Sequence, residues 1–265
     1  MKERSIKQKM GKFYIFLPVA LITAVLIFVR FWVLEYNLDF ITLNSLASTV
    51  VASSIFIIGF LLSGVFTDYK ESDKIPSEIR AILESIIYEG DSLFRKDASF
   101  SENNKKIKET VVRFINEFEA GLRHDKNHSH IELALLEIKN LDTIFDDMEE
   151  RGVPPNYMTR IKTEQSNLRK ILLRVYHIQK TKFIPSVVIL VEAIVVAVVF
   201  LLIFVETDKY IGYLELGVIS FILIYVRSLI LVLEKPFRKG LDDTSDDVSI
   251  FVLRELRHEL EKNLI

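Results

Sequence analysis

Four stretches of this chain contain almost no charged residues, and each is long enough to cross a membrane. They cover residues 13–34, 46–66, 183–205 and 211–233. About 20 helical residues at roughly 1.5 Å each span a ~30 Å hydrocarbon core. Charged residues make up 26% of the whole chain, so their scarcity in these windows is a strong bias. The sequence therefore predicts an all-α integral membrane protein with four transmembrane helices.

The first window is predicted to be a retained helix rather than a cleaved signal peptide. Its basic start fits a signal sequence, but its apolar run is too long and no small-residue cleavage pattern precedes Arg30. Residues 1–12 hold five basic side chains and one Glu, whereas the short segments after the first and third windows are acidic. Basic residues flank the other ends of the third and fourth windows. The positive-inside rule then predicts a multi-pass cell-membrane protein with both termini cytoplasmic.

The windows divide the chain into five predicted segments. A basic amino terminus (1–12) precedes two membrane helices (13–67), a helical cytoplasmic domain (68–182), two further membrane helices (183–233), and an acidic turn with a carboxy-terminal helix (234–265). The second membrane helix is expected to end at Asp68-Tyr69-Lys70; the alternative is that the soluble domain is built as direct extensions of membrane helices 2 and 3, since no flexible linker interrupts either junction. No segment shows the alternation typical of a strand.

The cytoplasmic domain is predicted to contain four helices. The first opens at Pro76, the second covers about 105–122, and the third starts at the capping box of Ser129 and ends near 152–155. The fourth starts at Asn156 and is expected to continue into the third membrane helix, with Pro185 marking a bend.

The second membrane helix has two chemically different faces. At about 100° per residue, a sector roughly 120° wide collects its hydroxyls, small residues and two phenylalanines. These are Ser45, Ser48, Thr49, Ala52, Phe56, Gly59, Phe60, Ser63 and Thr67. The opposite side is apolar except for Ser54, and carries Val50, Val51, Ile57, Ile58, Leu61, Leu62 and Val65. The polar sector is typical of a helix that lines a narrow pathway; close packing of small residues against another helix is the alternative.

Two ionisable residues lie deep within the last two windows. Glu192 and Arg227 are each roughly 12–13 Å from the predicted cytoplasmic ends of their helices, so the antiparallel helices bring them level. Isolated charges at this depth are costly, so the pair is predicted to form a structural salt bridge; a part in an ion or proton pathway is the alternative.

A second pair of charges lies near the opposite membrane surface. Arg30 is expected to extend to the interface beside Trp32 and Tyr36. Glu215 lies level with Arg30 and is its candidate partner.

Two clusters of potential metal ligands lie outside the windows. The aspartates are Asp242, Asp243, Asp246 and Asp247. Their preferred role is to start the helix 248–264, and Ca²⁺ binding is the alternative. That helix aligns Val248, Val252, Leu256 and Leu260 for packing on the cytoplasmic domain or a neighbouring subunit. The histidines, His124, His128 and His130, are interpreted as part of a solvated loop rather than a transition-metal site.

The sequence indicates neither an enzyme nor a nucleic-acid-binding protein. It has no cysteine and none of the common nucleophile, phosphate-loop, dinucleotide or zinc-protease motifs. The net charge of −2 gives no basic surface for nucleic acid.

Several residues resemble those of the bestrophin anion channels and their prokaryotic bestrophin-like relatives. Phe56-Ile57-Ile58-Gly59-Phe60 is similar to the second-helix signature, and Lys235-Pro236-Phe237 with the following aspartates is similar to the segment after the last membrane helix. The run at 64–78 and the order of membrane and soluble segments also resemble the prokaryotic family.

The resemblance implies a pentameric channel with helix 2 around a central pore. Ala52, Phe56 and Phe60 would form a hydrophobic neck, and the hydroxyl residues would line its two ends. It also implies chloride as a permeant ion and Ca²⁺ at the acidic turn. The alternative is a non-conducting membrane sensor or scaffold whose cytoplasmic helices bind a partner. A transporter ranks below both because inverted repeats are not evident.

Overall fold

The structure, a computed structural model, describes residues 15–42, 45–123, 129–180, 185–234, 236–237 and 248–264. It is almost entirely helical. In chain order the elements are α1 (Phe16–Glu35), β1 (Ile41–Thr42), α2 (Ser45–Lys96), a 3-10 turn (Ala98–Phe100), α3 (Ser101–Arg123), α4 (Ser129–Glu150), α5 (Pro155–Lys180), α6 (Pro185–Phe204), β2 (Val205–Glu206), α7 (Lys209–Leu233) and α8 (Phe251–Leu264).

The chain divides into two compact units. Of the described residues, those from 15 to 70 and from 185 to 236 form the membrane unit, and those from 71 to 180, with 237 and 248–264, form the helical unit. Among the residues that the structure describes, four helices have the length and apolar composition to cross a membrane: α1, α2, α6 and α7. The predicted all-α membrane fold with four spanning helices is therefore confirmed.

The membrane unit is organised around packing of α1, α6 and α7 on one another. Its core is built from aliphatic residues of these helices and of α2: Val19, Val33, Ile58, Val65, Val191, Val198, Leu216 and Leu223. Many apolar side chains on the other faces of these helices are exposed, as expected where the surroundings are lipid.

A short parallel pair of strands joins two connections of the membrane unit. Ile41 pairs with Val205 and Thr42 with Glu206, and the Phe40 amide donates to the Phe204 carbonyl over 3.1 Å. The sequence did not predict these strands, because two residues are too few to show an alternating pattern.

Helix α2 is continuous from Ser45 to Lys96, which confirms the expected direct extension of membrane helix 2 into the soluble domain and contradicts the predicted helix end and new start. The sequence placed one helix end at residues 68–70 and a new start at Pro76, but Pro76 lies inside the helix. Proline removes one backbone donor and crowds the preceding turn. Ile75 and Ile79 on either side of it are completely buried, and this packing offsets the local cost.

The helical unit forms a core between α3, α4, α5 and the second half of α2. The rings of Phe114 and Phe118 stack at 6.0 Å, and Phe145 and Leu83 are completely buried with them. Helix α3 starts at Ser101, earlier than expected, after a 3-10 turn in which Asp97 accepts from the Ser99 amide over 2.9 Å.

The remaining soluble helices follow their sequence signals closely. Helix α4 starts at Ser129, as predicted, and the chain turns at Gly152, whose φ of 85° favours glycine. Helix α5 ends at Lys180. Its predicted continuation into the third membrane helix falls on residues 181–184, outside the described residues, and α6 begins at Pro185.

The carboxy-terminal helix α8 packs on α3. It starts at Phe251 rather than at the predicted residue 248, although Val248 is buried. Leu253, Leu256 and Leu260 form its buried line, so Leu253 takes the place predicted for Val252.

Candidate functional site

The polar sector of α2 is exposed along the whole membrane unit. Phe56 and Phe60 are 75% and 72% exposed. Ala52, which precedes Phe56 by one helical turn, and Gly59, which directly precedes Phe60, are also exposed. The five hydroxyl residues of the sector are likewise exposed: Ser45, Ser48, Thr49, Ser63 and Thr67. The residues that the sequence grouped on one face therefore lie on one continuous free surface of the single chain.

The opposite side of α2 is the side that contacts the rest of the membrane unit. Ser54, Ile58 and Val65 are buried. At about 100° per residue, Phe56 and Phe60 lie roughly 200° and 240° from Ser54, whereas Ile58 and Val65 lie within about 40° of it. The two phenylalanines thus point away from the chain's own core.

The apolar side of α2 is narrower than the sequence suggested. Val50 and Ile57, which were placed on the packing side, are 46% and 39% exposed. They lie at the edge of the apolar sector, and the core contacts only its centre. These flanks are available to lipid or to another subunit.

The hydroxyls at the two ends of the sector have defined hydrogen bonds. Thr49 Oγ1 donates to the Ser45 carbonyl over 2.7 Å, and Thr67 Oγ1 donates to the Ser63 carbonyl over 2.9 Å. Such bonds satisfy the donor within the helix and leave the hydroxyl oxygen as an acceptor at the surface. The sector therefore presents polar oxygens at both ends and two aromatic rings between them.

The surface at Gly59 is open. A Cβ atom built there would have no neighbour within 4 Å. This part of the exposed sector, next to Phe60, is therefore uncrowded in the single chain.

Glu192 on α6 and Arg227 on α7 form an ion pair between their Oε1 and Nη2 atoms. The side chains are 45% and 33% exposed, so the pair lies at the surface of the membrane unit rather than in its core. In lipid, each of the two charges therefore has the other as its nearest counter-charge.

Arg30 has a different role from the one predicted. It is 0% exposed instead of extending to the interface. Its guanidinium donates to the Ile203 carbonyl, to the Val205 carbonyl over 2.6 Å and to Thr207 Oγ1 over 3.2 Å. In the part of the chain that the structure describes, no ion pair joins Arg30 to Glu215.

The site around Arg30 explains why the charge is buried. The last carbonyls of α6 have no partners within the helix and form the negative end of its dipole. A guanidinium supplies both the missing hydrogen-bond donors and a compensating positive charge. Gly212 on α7 provides the room, because a Cβ there would lie 3.0 Å from Arg30 Nη2 and 2.5 Å from Thr207 Oγ1. The sequence did not predict this cluster. The one local signal of the cluster was Gly212, four residues after Asp208.

The candidate metal ligands are only partly described. Asp242, Asp243, Asp246 and Asp247, proposed as capping residues or Ca²⁺ ligands, lie outside the described residues, as do His124 and His128. His130 lies on α4, where its Nδ1 is 2.7 Å from Glu117 Oε2. This contact places His130 in an interaction between α3 and α4.

Solved structures of the same fold identify the architecture. A bacterial bestrophin homologue from Klebsiella pneumoniae superposes with a TM-score of 0.72 at 15% identity, over 95% of this chain and 96% of that chain. The chain has a bestrophin-like fold. A variant of the same Klebsiella protein gives a TM-score of 0.75 at 14% identity over 93% and 94% of the two chains.

A further structure, described as a membrane protein, gives a TM-score of 0.72 at 15% identity over 95% and 96% of the two chains. No family model and no curated protein matches the sequence. The short signature Phe56-Ile57-Ile58-Gly59-Phe60 therefore pointed to a fold that extends over nearly the full chain, although overall identity is low.

Proposed function

We propose that this protein is an oligomeric ion channel whose central pore is lined by the polar sector of α2. The observation that carries the proposal is the exposure of Phe56 and Phe60, at 75% and 72%, on the side of a membrane helix that faces away from the core. Hydroxyl residues flank both rings on the same face. Hydroxyls directed at lipid gain nothing, whereas hydroxyls at the two ends of a pore contact water and ions.

Phe56 and Phe60 form the constriction in this proposal, together with Ala52. Two successive rings of phenylalanine side chains exclude water from a narrow pore, so ions are blocked until the rings move apart. No basic residue lies on the sector, so its own chemistry does not select the ion.

For the subunit number and ion we extend the resemblance to bestrophins, and propose a pentamer with chloride as the permeant ion. The charge distribution along the chain supports cytoplasmic termini. Under this proposal the protein is not an enzyme, and Asp242, Asp243, Asp246 and Asp247 are the candidates for Ca²⁺ binding.

Recording from the purified protein in planar bilayers tests the channel. The double variant Phe56→Ala, Phe60→Ala is expected to increase the conductance, because it widens the constriction and removes its apolar barrier. Phe200→Ala is the matched control, since Phe200 is an exposed aromatic residue on α6 outside the sector. Absence of any conductance, equal effects of the two substitutions, or a monomeric mass in detergent would overturn the proposal.

A groove in the helical unit supports the second candidate, a non-conducting scaffold or sensor. It has a volume of about 620 Å³ between α4 and α5, and exposed Leu136 and Leu173 line it together with Lys139 and Arg169. Glu132 and Asp142 line it as well, so its rim is polar with both signs of charge, and apolar side chains with a polar rim are typical of a protein-binding surface. A scaffold would bind a partner through this groove and show no current in bilayers, which separates the two functions.

A further inference from the structure

The groove between α4 and α5 in the helical unit has both polar and apolar side chains in its lining. Its volume of about 620 Å³ is within the range of pockets that bind small organic molecules. Ile138 on α4 and Gln165 on α5 are its two buried lining residues. We call this depression, lined by residues 132–142 of α4 and 162–173 of α5, the α4–α5 groove.

Gln165 presents an unpaired acceptor to the α4–α5 groove. Its side chain is 9% exposed, and its amide nitrogen donates to the Ile138 carbonyl and to Asp142 Oδ1, each over 2.8 Å. Both partners are acceptors, so the nitrogen must face them and Oε1 faces away. Among the described residues Oε1 has no hydrogen-bond partner, yet it is not sealed inside the protein, so a donor on a bound molecule can reach it from the groove.

Asp142 extends this acceptor into a subsite for an ammonium group. Its Oδ1 accepts from Gln165 Nε2, so the carboxylate lies directly beside the glutamine amide. Its other oxygen has no hydrogen-bond partner in the described parts of the chain. The subsite therefore offers negative charge and acceptors, while both amide hydrogens of Gln165 are already used. An ammonium, with a positive charge and three donors, is the complementary group.

Lys139 and Arg169 form a basic subsite next to these acceptors. Helices α4 and α5 are antiparallel, and the contact between Gln165 and Asp142 makes these two residues level. Lys139 precedes Asp142 by three residues and Arg169 follows Gln165 by four, so both cations lie in the same direction, roughly 4.5–6 Å along the groove. Neither has an ion-pair partner among the residues that the structure describes. A carboxylate is the group that such a pair of cations binds.

The two remaining charges of the α4–α5 groove have other roles. Lys162 Nζ is 2.7 Å from Glu149 Oε2 and 3.5 Å from Asp146 Oδ1, so its charge is compensated outside the groove. Glu132 lies in the first turn of α4, where a carboxylate stabilises the helix dipole. One acidic and one basic subsite, about one helical turn apart, are therefore left for a ligand.

Three leucines complete the α4–α5 groove and define the rest of the ligand. Leu135, Leu136 and Leu173 line it, and the last two are 49% and 44% exposed. Exposed leucines gain free energy from contact with an aliphatic group. Each residue of an extended chain spans about 3.3–3.6 Å, so the two termini of a dipeptide reach both subsites. The two charges of a free amino acid are attached to one carbon and are closer together.

We propose that the α4–α5 groove binds a free dipeptide with aliphatic side chains. Its ammonium contacts Asp142 and Gln165 Oε1, its carboxylate contacts Lys139 and Arg169, and a side chain packs on the exposed leucines. A protein segment cannot present two charged termini two residues apart, so this occupant differs from the partner of a scaffold. The site lies within the helical unit and does not depend on whether the protein conducts ions.

Equilibrium dialysis of radiolabelled leucyl-leucine against the full-length protein in detergent micelles tests the site. Saturable binding of one peptide per chain is expected, with a dissociation constant below about 1 mM. Amidation of the carboxyl end, or acetylation of the amino end, should each weaken binding about tenfold, because each removes a charge-assisted contact. Leucine that binds as tightly as leucyl-leucine would contradict a dipeptide site.

Two variants assign each terminus to its subsite. Arg169→Gln should weaken leucyl-leucine about tenfold and leave the affinity of its amide unchanged, and Asp142→Asn should do the same for the free and N-acetylated peptides. Lys170→Gln is the matched control, since Lys170 is exposed beside Arg169 but does not line the groove. The absence of saturable binding, equal effects of Arg169→Gln and Lys170→Gln, or tight binding of a peptide blocked at both ends would each overturn the proposal.

Discussion

Arg30 Nη2 donates a hydrogen bond to the Val205 carbonyl over 2.6 Å, which ties α1 to the connection between α6 and α7. The same guanidinium also binds the Ile203 carbonyl and Thr207. Arg30→Gln is therefore expected to destabilise the membrane unit by about 3 kcal/mol, because the buried acceptors lose their charged donor in a water-free site. Thermal unfolding in detergent, followed by circular dichroism, measures the loss.

Gly212→Ala provides an independent test of this cluster. The added Cβ would lie 2.5 Å from Thr207 Oγ1 and 3.0 Å from Arg30 Nη2, so these side chains must shift and the melting temperature is expected to fall. Gly64→Ala is the matched control, since its Cβ would have no neighbour within 4 Å and alanine is the better helix former. A melting temperature that falls equally in both variants would show that the Arg30 cluster is not what stabilises this end of the bundle.

The membrane fold was predictable because its signal is long and repetitive. Windows of more than twenty residues with almost no charge define the spanning helices. The 3.6-residue period separates the two sides of α2. This period alone places Phe56 and Phe60 on one side of α2 and Ile58 and Val65 on the other; the structure shows that the second side is the buried one.

The errors arose where tertiary contacts outweigh a local rule. A proline usually opens a helix, but α2 continues through Pro76 because Ile75 and Ile79 are packed in the core on either side of it. An arginine near a helix end usually reaches solvent, but carbonyls more than 170 residues away, at Ile203 and Val205, bury Arg30. Contacts of such sequence separation leave no periodic signal, so a single sequence does not report them.

The ion pair between Glu192 and Arg227 is expected to stabilise the contact of α6 with α7. Glu192→Gln should lower the free energy of unfolding by about 2 kcal/mol, because it leaves an unpaired guanidinium facing lipid. Adding Arg227→Gln should recover part of this loss. Thermal unfolding of the four proteins of this double-mutant cycle measures the coupling, and strictly additive losses would show that the two side chains do not stabilise each other.

Glu119 holds the carboxy-terminal helix on α3. Its carboxylate accepts from Arg254 Nε over 3.0 Å and from Arg257 Nη1 over 2.9 Å. Glu119→Gln removes the charge of both contacts, so amide hydrogen exchange in α8 should accelerate about tenfold. Glu261→Gln is the control, because Glu261 is exposed and its distance to Arg257, 4.0 Å, is longer than either contact of Glu119. Equal exchange in the two variants would assign the docking of α8 to its leucines alone.

Asp147 makes the stability of the helical unit depend on pH. Asn103 Nδ2 donates to Asp147 Oδ2 over 2.8 Å, and this hydrogen bond, with Arg151 nearby, lowers the pKa of the carboxyl group. A lowered folded-state pKa gives stability that is present above the unfolded value of about 3.9 and is lost as the pH falls through the folded value.

The matched variant Asp147→Asn lacks this titration. The difference in melting temperature between the natural protein and Asp147→Asn is therefore expected to be constant above about pH 5 and to shrink as the pH falls below about 4. A difference that grows on acidification, or that stays unchanged to about pH 2, would contradict the role of Asp147.

The absence of cysteine from the natural sequence allows a direct test of which side of α2 lines the pore. A single cysteine is introduced at Ser63, within the polar sector, or at Val50, which is also exposed but lies on the opposite side of the helix. A charged, water-soluble thiosulfonate reacts only with a hydrated thiolate. If α2 lines the pore, the reagent should change the bilayer current of Ser63→Cys and leave that of Val50→Cys unaltered. Modification of Val50→Cys with no effect at Ser63→Cys would mean that the polar sector packs against protein and that the water-filled side of α2 is its apolar one.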